Sequence, residues 1–375
     1  MRAKKNTIFL LASIATLAAA IALPVASADA PTGSASATPP PRFFGIAPQT
    51  LLTETDTSYM RAARIGSLRV PVQWSLVQPT PKSEYNWSGL DQAVEIGARA
   101  RISVFPFLYS TPHWLGKATT MPIDSGRQRQ AWTAFVGAAV ERYGPRGTFW
   151  SEHAPGTENP VPRMPIRTWQ VWNEANFFYF SFPVSPGRYA RLLKLTQPVI
   201  KRADPGAEVI LSGLFGAPDE GGRRGMDATD FLDALYRVGG IKSKFDAIAL
   251  HPYAFHVDDL EELTEGLRDV ALENRDRSAR LYITEMGWGS QNDPNVVAFE
   301  QGIQGQAREL RGAYRYLIDN RGRLNLKGTY WFSWKDARGS CNFCDSVGLF
   351  RAGPRFKPKP AWHAFVGLTR GRARP

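Results

Sequence analysis

Two glutamates follow apolar runs in positions that suit acid–base and nucleophilic chemistry. Glu174 lies in TWQVWNEAN and Glu285 in LYITEMGW. Polar side chains in and around a buried strand are costly unless they serve a site. Two carboxylates across a cleft can cleave a glycosidic bond, because one protonates the leaving oxygen while the other attacks the anomeric carbon. Either glutamate alone could be a helix-cap neighbour or a salt-bridge partner, but the pair, with tryptophans beside both, favours catalysis.

Strands that end at one common edge would be needed to bring these glutamates together. Apolar runs alternate with amphipathic, helix-period segments, and several runs are apolar throughout, as parallel strands buried on both faces are. Eight such pairs predict an α/β fold, a closed (β/α)8 TIM barrel, whose chemistry lies at the carboxyl ends of the strands. A doubly wound open sheet is the rival, but FFGIAPQ after the first strand is not a dinucleotide-binding turn. The predicted strands are 43–47, 67–70, 102–107, 168–171, 208–212, 247–250, 281–284 and 328–333.

The glutamate segments also carry a family resemblance. VWNEAN and YITEMGW resemble the acid/base and nucleophile motifs of the clan A retaining glycoside hydrolases, with families 5 and 39 the most similar in pattern. SLRVPVQW resembles the second strand of that clan, LHPY the sixth, and YWFSWKD with GLF and KPKPAWHAF the eighth strand and closing helix. Ala175 stands where relatives often have proline, so the exact family stays open.

This resemblance implies a role for each matching residue. Glu174 would act as the acid and then as the base, with a pKa raised in part by the charge of Glu285. Glu285 would be the nucleophile of a retaining double displacement, which requires carboxyl groups about 5–5.5 Å apart. Asn173 would bind the sugar 2-hydroxyl, and Arg69 would orient Glu285.

The HPY segment after the sixth predicted strand supplies two further candidates. The resemblance implies that Tyr253 hydrogen-bonds the nucleophile and that His251 contacts the substrate. A metal site on His251 and His256 is the competing interpretation, and it lacks a carboxylate or cysteine at ligand spacing. We therefore predict no metal and no cofactor.

Aromatic residues near the predicted strand ends could hold a sugar, whose C–H faces pack against flat rings. We expect Trp334 to form the floor beneath the sugar and Trp114 to line the cleft, with Trp172 and Trp288 as further substrate-binding candidates. Core packing is the alternative for each ring, and we expect about half of the aromatic candidates to be structural. The other cleft-wall candidates are Trp74, Tyr109, His113 and Tyr179.

Three other functions compete with glycoside hydrolysis. A catalytically inactive carbohydrate-binding barrel would normally have lost a catalytic carboxylate. A transglycosylase would use the same two glutamates. An aldolase or phosphosugar isomerase would need a Schiff-base lysine or a phosphate loop, and neither is evident. We predict a β-linked glycan or glycoside as substrate; the sugar, the linkage and endo or exo action stay open.

The N-terminus has the pattern of an export signal. A basic start, an apolar run and Ala-Ser-Ala predict a signal peptide at 1–28 and a secreted protein. An uncleaved membrane anchor is the alternative, but a spanning helix needs about 20 apolar residues and this run is shorter. Residues 29–41 are rich in proline, serine and alanine and predict a linker, and 42–375 form the predicted catalytic domain.

Charge and cysteine content limit the partners. The formal charge is +12, but the basic residues are scattered and no basic run is interleaved with aromatic residues, so we predict no nucleic-acid partner and prefer a solvated basic surface. Attraction to acidic extracellular polymers is the alternative. The two cysteines, Cys341 and Cys344, lack the second ligand pair of a zinc site and predict a local disulfide.

Overall fold

The computed structural model describes residues 38–375 except 219–221, 293–298, 340 and 342–343. The predicted signal peptide and most of the predicted linker lie outside the described residues, so both stay predictions. Within the described ranges, no helix is long and apolar enough to cross a membrane.

Parallel strands form one closed sheet. Their order is β5-β4-β3-β2-β1-β9-β8-β7-β6, and an additional pairing of β5 with β7 closes the barrel. The strands, which are buried along nearly their whole length, are β1 (Phe44–Ala47), β2 (Ser67–Gln73), β3 (Ser103–Tyr109), β4 (Thr168–Val171), β5 (Glu208–Ile210), β6 (Leu214–Phe215), β7 (Ala247–His251), β8 (Arg280–Met286) and β9 (Leu326–Phe332).

The fifth strand of the barrel is interrupted. Both β5 and β6 pair with β7, through Ile210 with Ala247 and Leu214 with Leu250. Between them Gly213 has a φ of +65°, a left-handed conformation that glycine adopts without steric cost. The segments β5 and β6 therefore occupy one barrel position, and the predicted eight-position (β/α)8 barrel is confirmed. The seventh predicted strand is β8.

Helices surround the barrel and place their apolar faces against it. Two of them begin with capping boxes, in which Thr53 and Ser125 accept hydrogen bonds from the first turns. The helices are α1 (Glu54–Ala62), α2 (Trp74–Val77), α3 (Ser88–Arg99), α4 (Gly126–Tyr143), α5 (Thr148–Glu152), α6 (Pro186–Ala203), α7 (Ala228–Tyr236), α8 (Val257–Glu273), α9 (Gly302–Asp319) and α10 (Pro360–Thr369).

The amino-terminal end of the barrel is filled by aromatic and polar side chains. Phe105 packs against Tyr282 and Tyr330 inside the barrel. Tyr282 donates a hydrogen bond to Glu208 Oε2 (2.9 Å), and the hydroxyls of Tyr330 and Ser67 lie 2.7 Å apart. These side chains therefore pack against one another inside the barrel, as is usual for the fold, and they also line a cavity of about 450 Å³ at this end.

The loop after β9 contains the disulfide that the sequence suggests. Cys341 and Cys344 are joined, with their Cα atoms 5.0 Å apart. The bond closes a small loop of three residue steps.

Candidate active site

The carboxyl ends of β4, β7 and β8, together with the interior of β2, bring the predicted catalytic residues together. Glu285 is the sixth residue of β8, and Glu174 lies three residues beyond the end of β4. Trp172 and Glu174 have φ values of +72° and +39°, which are uncommon for residues other than glycine. The amide of Glu174 is anchored by a hydrogen bond to the carbonyl of Ser212 (2.8 Å). The backbone between strand and loop is thus shaped to turn this glutamate into the barrel mouth.

Glu285 is held by a guanidinium and a phenol. Arg69 Nη1 lies 2.5 Å from Oε1, and the hydroxyl of Tyr253 donates to Oε2 at 2.8 Å. The other donors of Arg69 bind Gln170 Oε1 (2.7 Å) and Asn173 Oδ1 (2.6 Å). Because Arg69 is almost completely buried, its charge compensates that of the carboxylate at low dielectric and fixes the carboxylate's orientation.

Glu174 has a different environment. His251 Nδ1 lies 2.7 Å from Oε1 of Glu174. Burial raises the pKa of Glu174 well above its usual value, the charge of Glu285 raises it further, and Arg69 opposes both effects. Burial, and then the charge of Arg69, lowers the pKa of His251 well below its usual value. The imidazole is therefore neutral near pH 7, and the Glu174–His251 pair can hold one proton along this short contact.

The two carboxyl groups lie close together. One side-chain oxygen or nitrogen each of Glu174, His251 and Glu285 falls within 4.8 Å of the other two. Such a cluster has the spacing of metal ligands, but a cation there would face the guanidinium of Arg69 at 2.5 Å from Glu285. The competing metal pair does not form in the described residues, since His256 is exposed at the start of α8 and lies 3.9 Å from Glu309.

Asn173 is placed to bind a ligand through its amide group. Its Oδ1 accepts a hydrogen bond from Arg69, which leaves the side-chain NH2 to donate to a hydroxyl. Asn173 thus lies beside Arg69, which binds Glu285, and this position fits the 2-hydroxyl contact that the resemblance implies.

His251 does not fit the predicted contact with substrate. Its side chain is fully buried, and its ring bonds to Glu174 instead. The geometry gives His251 the place of a residue that orients the side chain of Glu174. The roles predicted for Arg69 and Tyr253 as partners of Glu285 match the hydrogen bonds in the structure.

The predicted tryptophan floor does not match the structure. Trp334 is fully buried, its indole N–H donates to Asp56 Oδ1 (2.7 Å), and its ring packs on Phe350 and Trp362. Phe332, two residues earlier and at the end of β9, has its ring centre 6.3 Å from that of Tyr253. Phe332 is therefore the aromatic residue of this segment that lies beside the site.

Of the other three predicted tryptophans, two are buried and one is partly exposed. Trp172 and Trp288 are buried, and their indole N–H groups bind the carbonyls of Phe180 and Phe255. Both belong to the core, and their predicted substrate contact is corrected accordingly. Trp114 is half-buried on the loop after β3, so it keeps a face that a ligand can reach. Among the other cleft-wall candidates, Trp74 is fully buried, Tyr109 is half-buried, and His113 and Tyr179 are exposed.

Sequence reasoning named Tyr179 but missed the row of rings that leads to it from Tyr253. Phe215 lies 5.8 Å from Tyr253, and Phe177 stacks on Phe215 at 5.0 Å. Beyond them Tyr179 is 60% exposed and stacks on Phe178 at 4.4 Å. Phe177, Phe178 and Tyr179 lie on the loop that directly follows Glu174, and Phe215 lies on β6. Their flat apolar faces can pack against the C–H faces of a sugar.

Gln170 is another residue of the site that the sequence analysis did not predict. It is completely buried, accepts from Arg69 Nε and donates to the carbonyl of Leu211 (2.8 Å). The signal was present in the sequence, because a glutamine inside a buried strand needs a polar partner.

Solved structures share this architecture. The chain superimposes on a family 39 glycoside hydrolase from Bacteroides cellulosilyticus with a TM-score of 0.61 and 20% identity over 87% of this chain and 63% of that one. For a monomeric beta-xylosidase from Caulobacter crescentus the TM-score is 0.62, with 19% identity over 89% of this chain and 69% of that one. For xylanase 10B from Thermotoga maritima the TM-score is 0.56, with 16% identity over 87% of this chain and 94% of that one. Neither a protein-family model nor a curated protein sequence matches this chain.

The fold is therefore a TIM barrel, which this chain shares with these glycoside hydrolases. The chain spans somewhat less than two thirds of the family 39 enzyme. At this level of identity the similarity establishes the architecture, and the activity has to be argued from the site.

Proposed function

We propose that this protein is a retaining glycoside hydrolase in which Glu174 is the acid/base and Glu285 the nucleophile. The observation that carries the proposal is the position of two buried carboxyl groups with side-chain oxygens within 4.8 Å of each other at the barrel mouth. Retaining enzymes have carboxyl groups about 5–5.5 Å apart, whereas inverting enzymes need about 6.5–9.5 Å to admit a water molecule.

The environments of the two glutamates support different roles. Arg69 and Tyr253 bind both oxygens of Glu285, which suits an ionised nucleophile of fixed orientation. Burial raises the pKa of Glu174, which suits a group that must hold a proton before the first step. One carboxyl group is bound by a cation and a phenol, and the other has a raised pKa. This difference supports separate roles as nucleophile and acid.

The proposed reaction has two displacements. A carboxylate oxygen of Glu285 forms a bond to the anomeric carbon as the glycosidic bond breaks, and Glu174 transfers its proton to the departing oxygen. Glu174 then removes a proton from water, whose oxygen bonds to the anomeric carbon as the ester to Glu285 breaks. Glu174 is thereby reprotonated, and His251, at 2.7 Å, holds its carboxyl group in place through both steps.

A β-linked glycan or glycoside is the substrate that we propose. The named activities of the structural neighbours, which include beta-xylosidase, exo-beta-1,4-mannosidase and xylanase, belong to those proteins and support only this broad class. We also propose that the protein is secreted, on the pattern of residues 1–28. Intact mass of the exported protein tests secretion, and a product that retains residues 1–28 would contradict cleavage.

Covalent labelling is the direct test of the catalytic proposal. The purified protein is incubated with 2-fluoro glycosides of gluco, manno, xylo and galacto configuration, followed by intact-mass measurement and peptide mapping. We expect one adduct on Glu285 and matched loss of activity. The Glu285→Gln variant is the control and should remain unlabelled. An adduct on another residue, or inversion of the product's anomeric configuration by NMR, would overturn the assignment.

A further inference from the structure

A concave, positively charged groove lies on the outer surface between α9 and α10. It encloses about 550 Å³ and is lined by Arg311 and Arg315 from α9 and by His363 and Arg370 from α10 and the residue that follows it. We call it the arginine groove. All four side chains belong to exposed residues.

The described residues that line the arginine groove include no acidic side chain, although Asp319 stands one turn after Arg315 on α9. Within the described part of the chain, no residue forms an ion pair with Arg311, Arg315 or Arg370. Arg311 and Arg315 are four residues apart on one helix, a spacing at which like charges repel.

Arginines elsewhere on the outer surface have carboxylate partners. Arg188 pairs with Asp124 at 2.7 Å, and Arg323 with Glu265 at 2.6 Å. The contrast shows that the basic surface is not uniform. Three arginines that face one concavity concentrate anions there more effectively than scattered charges do.

We propose that the arginine groove binds an anionic polysaccharide. Guanidinium groups bind carboxylate and sulfate oxygens through paired hydrogen bonds, so three of them can engage successive charged groups of one chain. A concave groove between two helices can accommodate a segment of a linear polymer, whereas a membrane presents a flat surface. Since α9 and α10 lie outside the barrel, this site is separate from Glu174 and Glu285. It goes beyond the proposed glycosidase activity and would hold the protein on a charged matrix while the barrel mouth stays open.

Binding measurements on the full chain test the groove. The probes are polygalacturonate and dextran sulfate, which separate carboxylate from sulfate recognition, with neutral dextran and double-stranded DNA as comparisons. The test variant replaces Arg311, Arg315 and Arg370 with glutamine. We expect it to bind its preferred acidic polysaccharide about tenfold more weakly than the unaltered chain at moderate salt. Circular dichroism and hydrolysis of a small aryl glycoside should not change.

A matched variant separates the groove from net charge. Replacement of the exposed Arg191, Arg202 and Arg277 with glutamine removes three positive charges from other surfaces. We expect its affinity to stay within about twofold of the unaltered chain, since distant charges are largely screened in salt. Equal losses in both triple variants would overturn the proposal, as would tighter binding to DNA or no binding to either acidic polysaccharide. Because the readout is binding, failure of the proposed hydrolase would leave this result interpretable.

Discussion

The two ends of this barrel each contain a glutamate that accepts a hydrogen bond from a tyrosine and faces an arginine; it is buried at the mouth and half-buried at the opposite end. At the mouth these are Glu285, Tyr253 and Arg69, and at the opposite end Glu208, Tyr282 and Arg280. The tyrosine–carboxylate distances are almost equal, at 2.8 and 2.9 Å. A glutamate, a tyrosine and an arginine in contact are therefore not sufficient to define a catalytic site.

The difference lies in what surrounds each group. The side chain of Arg69 is 1% exposed and makes hydrogen bonds to three side chains, whereas that of Arg280 is 42% exposed. At the mouth a second carboxyl, that of Glu174, lies within 4.8 Å of Glu285. Chemistry requires this second group, because a nucleophile alone cannot protonate the leaving oxygen. The comparison also supplies control variants for three of the four predictions that follow.

The largest expected effect is on the nucleophile. We expect Glu285→Ala to lower turnover by about four orders of magnitude, since the covalent step has no attacking group. Added azide should restore turnover and give a glycosyl azide of inverted configuration. Glu208→Gln should change turnover by no more than about twofold, because Glu208 touches no reacting atom. Equal losses in the two variants would indicate a structural role for Glu285.

Replacement of the acid should give a smaller loss that depends on the leaving group. For Glu174→Gln we expect a loss of about 10²–10⁴-fold with poor leaving groups and little loss in the first step with activated aryl glycosides. A plot of log kcat/KM against the leaving group's pKa measures this. A slope unchanged from that of the unaltered enzyme would remove Glu174 from the acid role.

Stability should distinguish the two arginines. Arg69→Gln leaves Glu285 buried without its cation, and we expect a loss of about 3–5 kcal/mol in the free energy of unfolding. Arg280→Gln breaks an ion pair that water reaches and should cost about 0–1 kcal/mol. Urea unfolding of both variants measures the difference. Similar losses would mean that burial does not separate the two ends.

The smallest effect should appear in the pH dependence of stability. Because burial raises the pKa of Glu174 in the folded state, its contribution to stability is present below its unfolded pKa and lost as pH rises through the folded value. Glu174→Gln removes this loss. We expect its unfolding free energy to match that of the unaltered protein near pH 4 and to exceed it by about 1 kcal/mol or more near pH 7.

Glu208 provides the comparison for this measurement. Burial also raises the pKa of Glu208, while Arg280 and the Tyr282 hydroxyl oppose the increase. Glu208→Gln should therefore show the same sign with a smaller amplitude. Thermal unfolding between pH 4 and 8 tests both variants, and a gain that falls with rising pH would contradict the assigned direction.

Much of the architecture could be predicted because alternation of strands and helices has a fixed consequence. Once eight strands are counted, Glu174, Glu285 and Tyr253 are expected at the same barrel mouth, because each lies at or just beyond the carboxyl end of a strand. Arg69 is the third residue of β2, and its role was predicted from the family resemblance. The interruption of the fifth strand at Gly213 could not be predicted, since its cause is a contact with β7 that is distant in sequence.

The aromatic residues were harder to assign for a physical reason. Phe332 is the last residue of β9, and Trp334 lies two residues beyond it, where the regular alternation of side chains has stopped. Hydrophobicity favours burial of either ring, and only the partners Asp56 and Tyr253 decide which ring enters the core and which lies at the site. Such partners come from other strands and leave no local pattern.

The interruption at Gly213 also restricts what residue 213 can be. A methyl group there would lie 2.3 Å from His251 Nε2 and 2.8 Å from Thr284 Oγ1, so the imidazole would have to move, and Glu174 with it. In a library randomised at this codon and selected for turnover, glycine should be almost the sole survivor. Variants selected only for folding should tolerate more. The presence of glycine at position 213 would thus distinguish variants that keep turnover from variants that only fold.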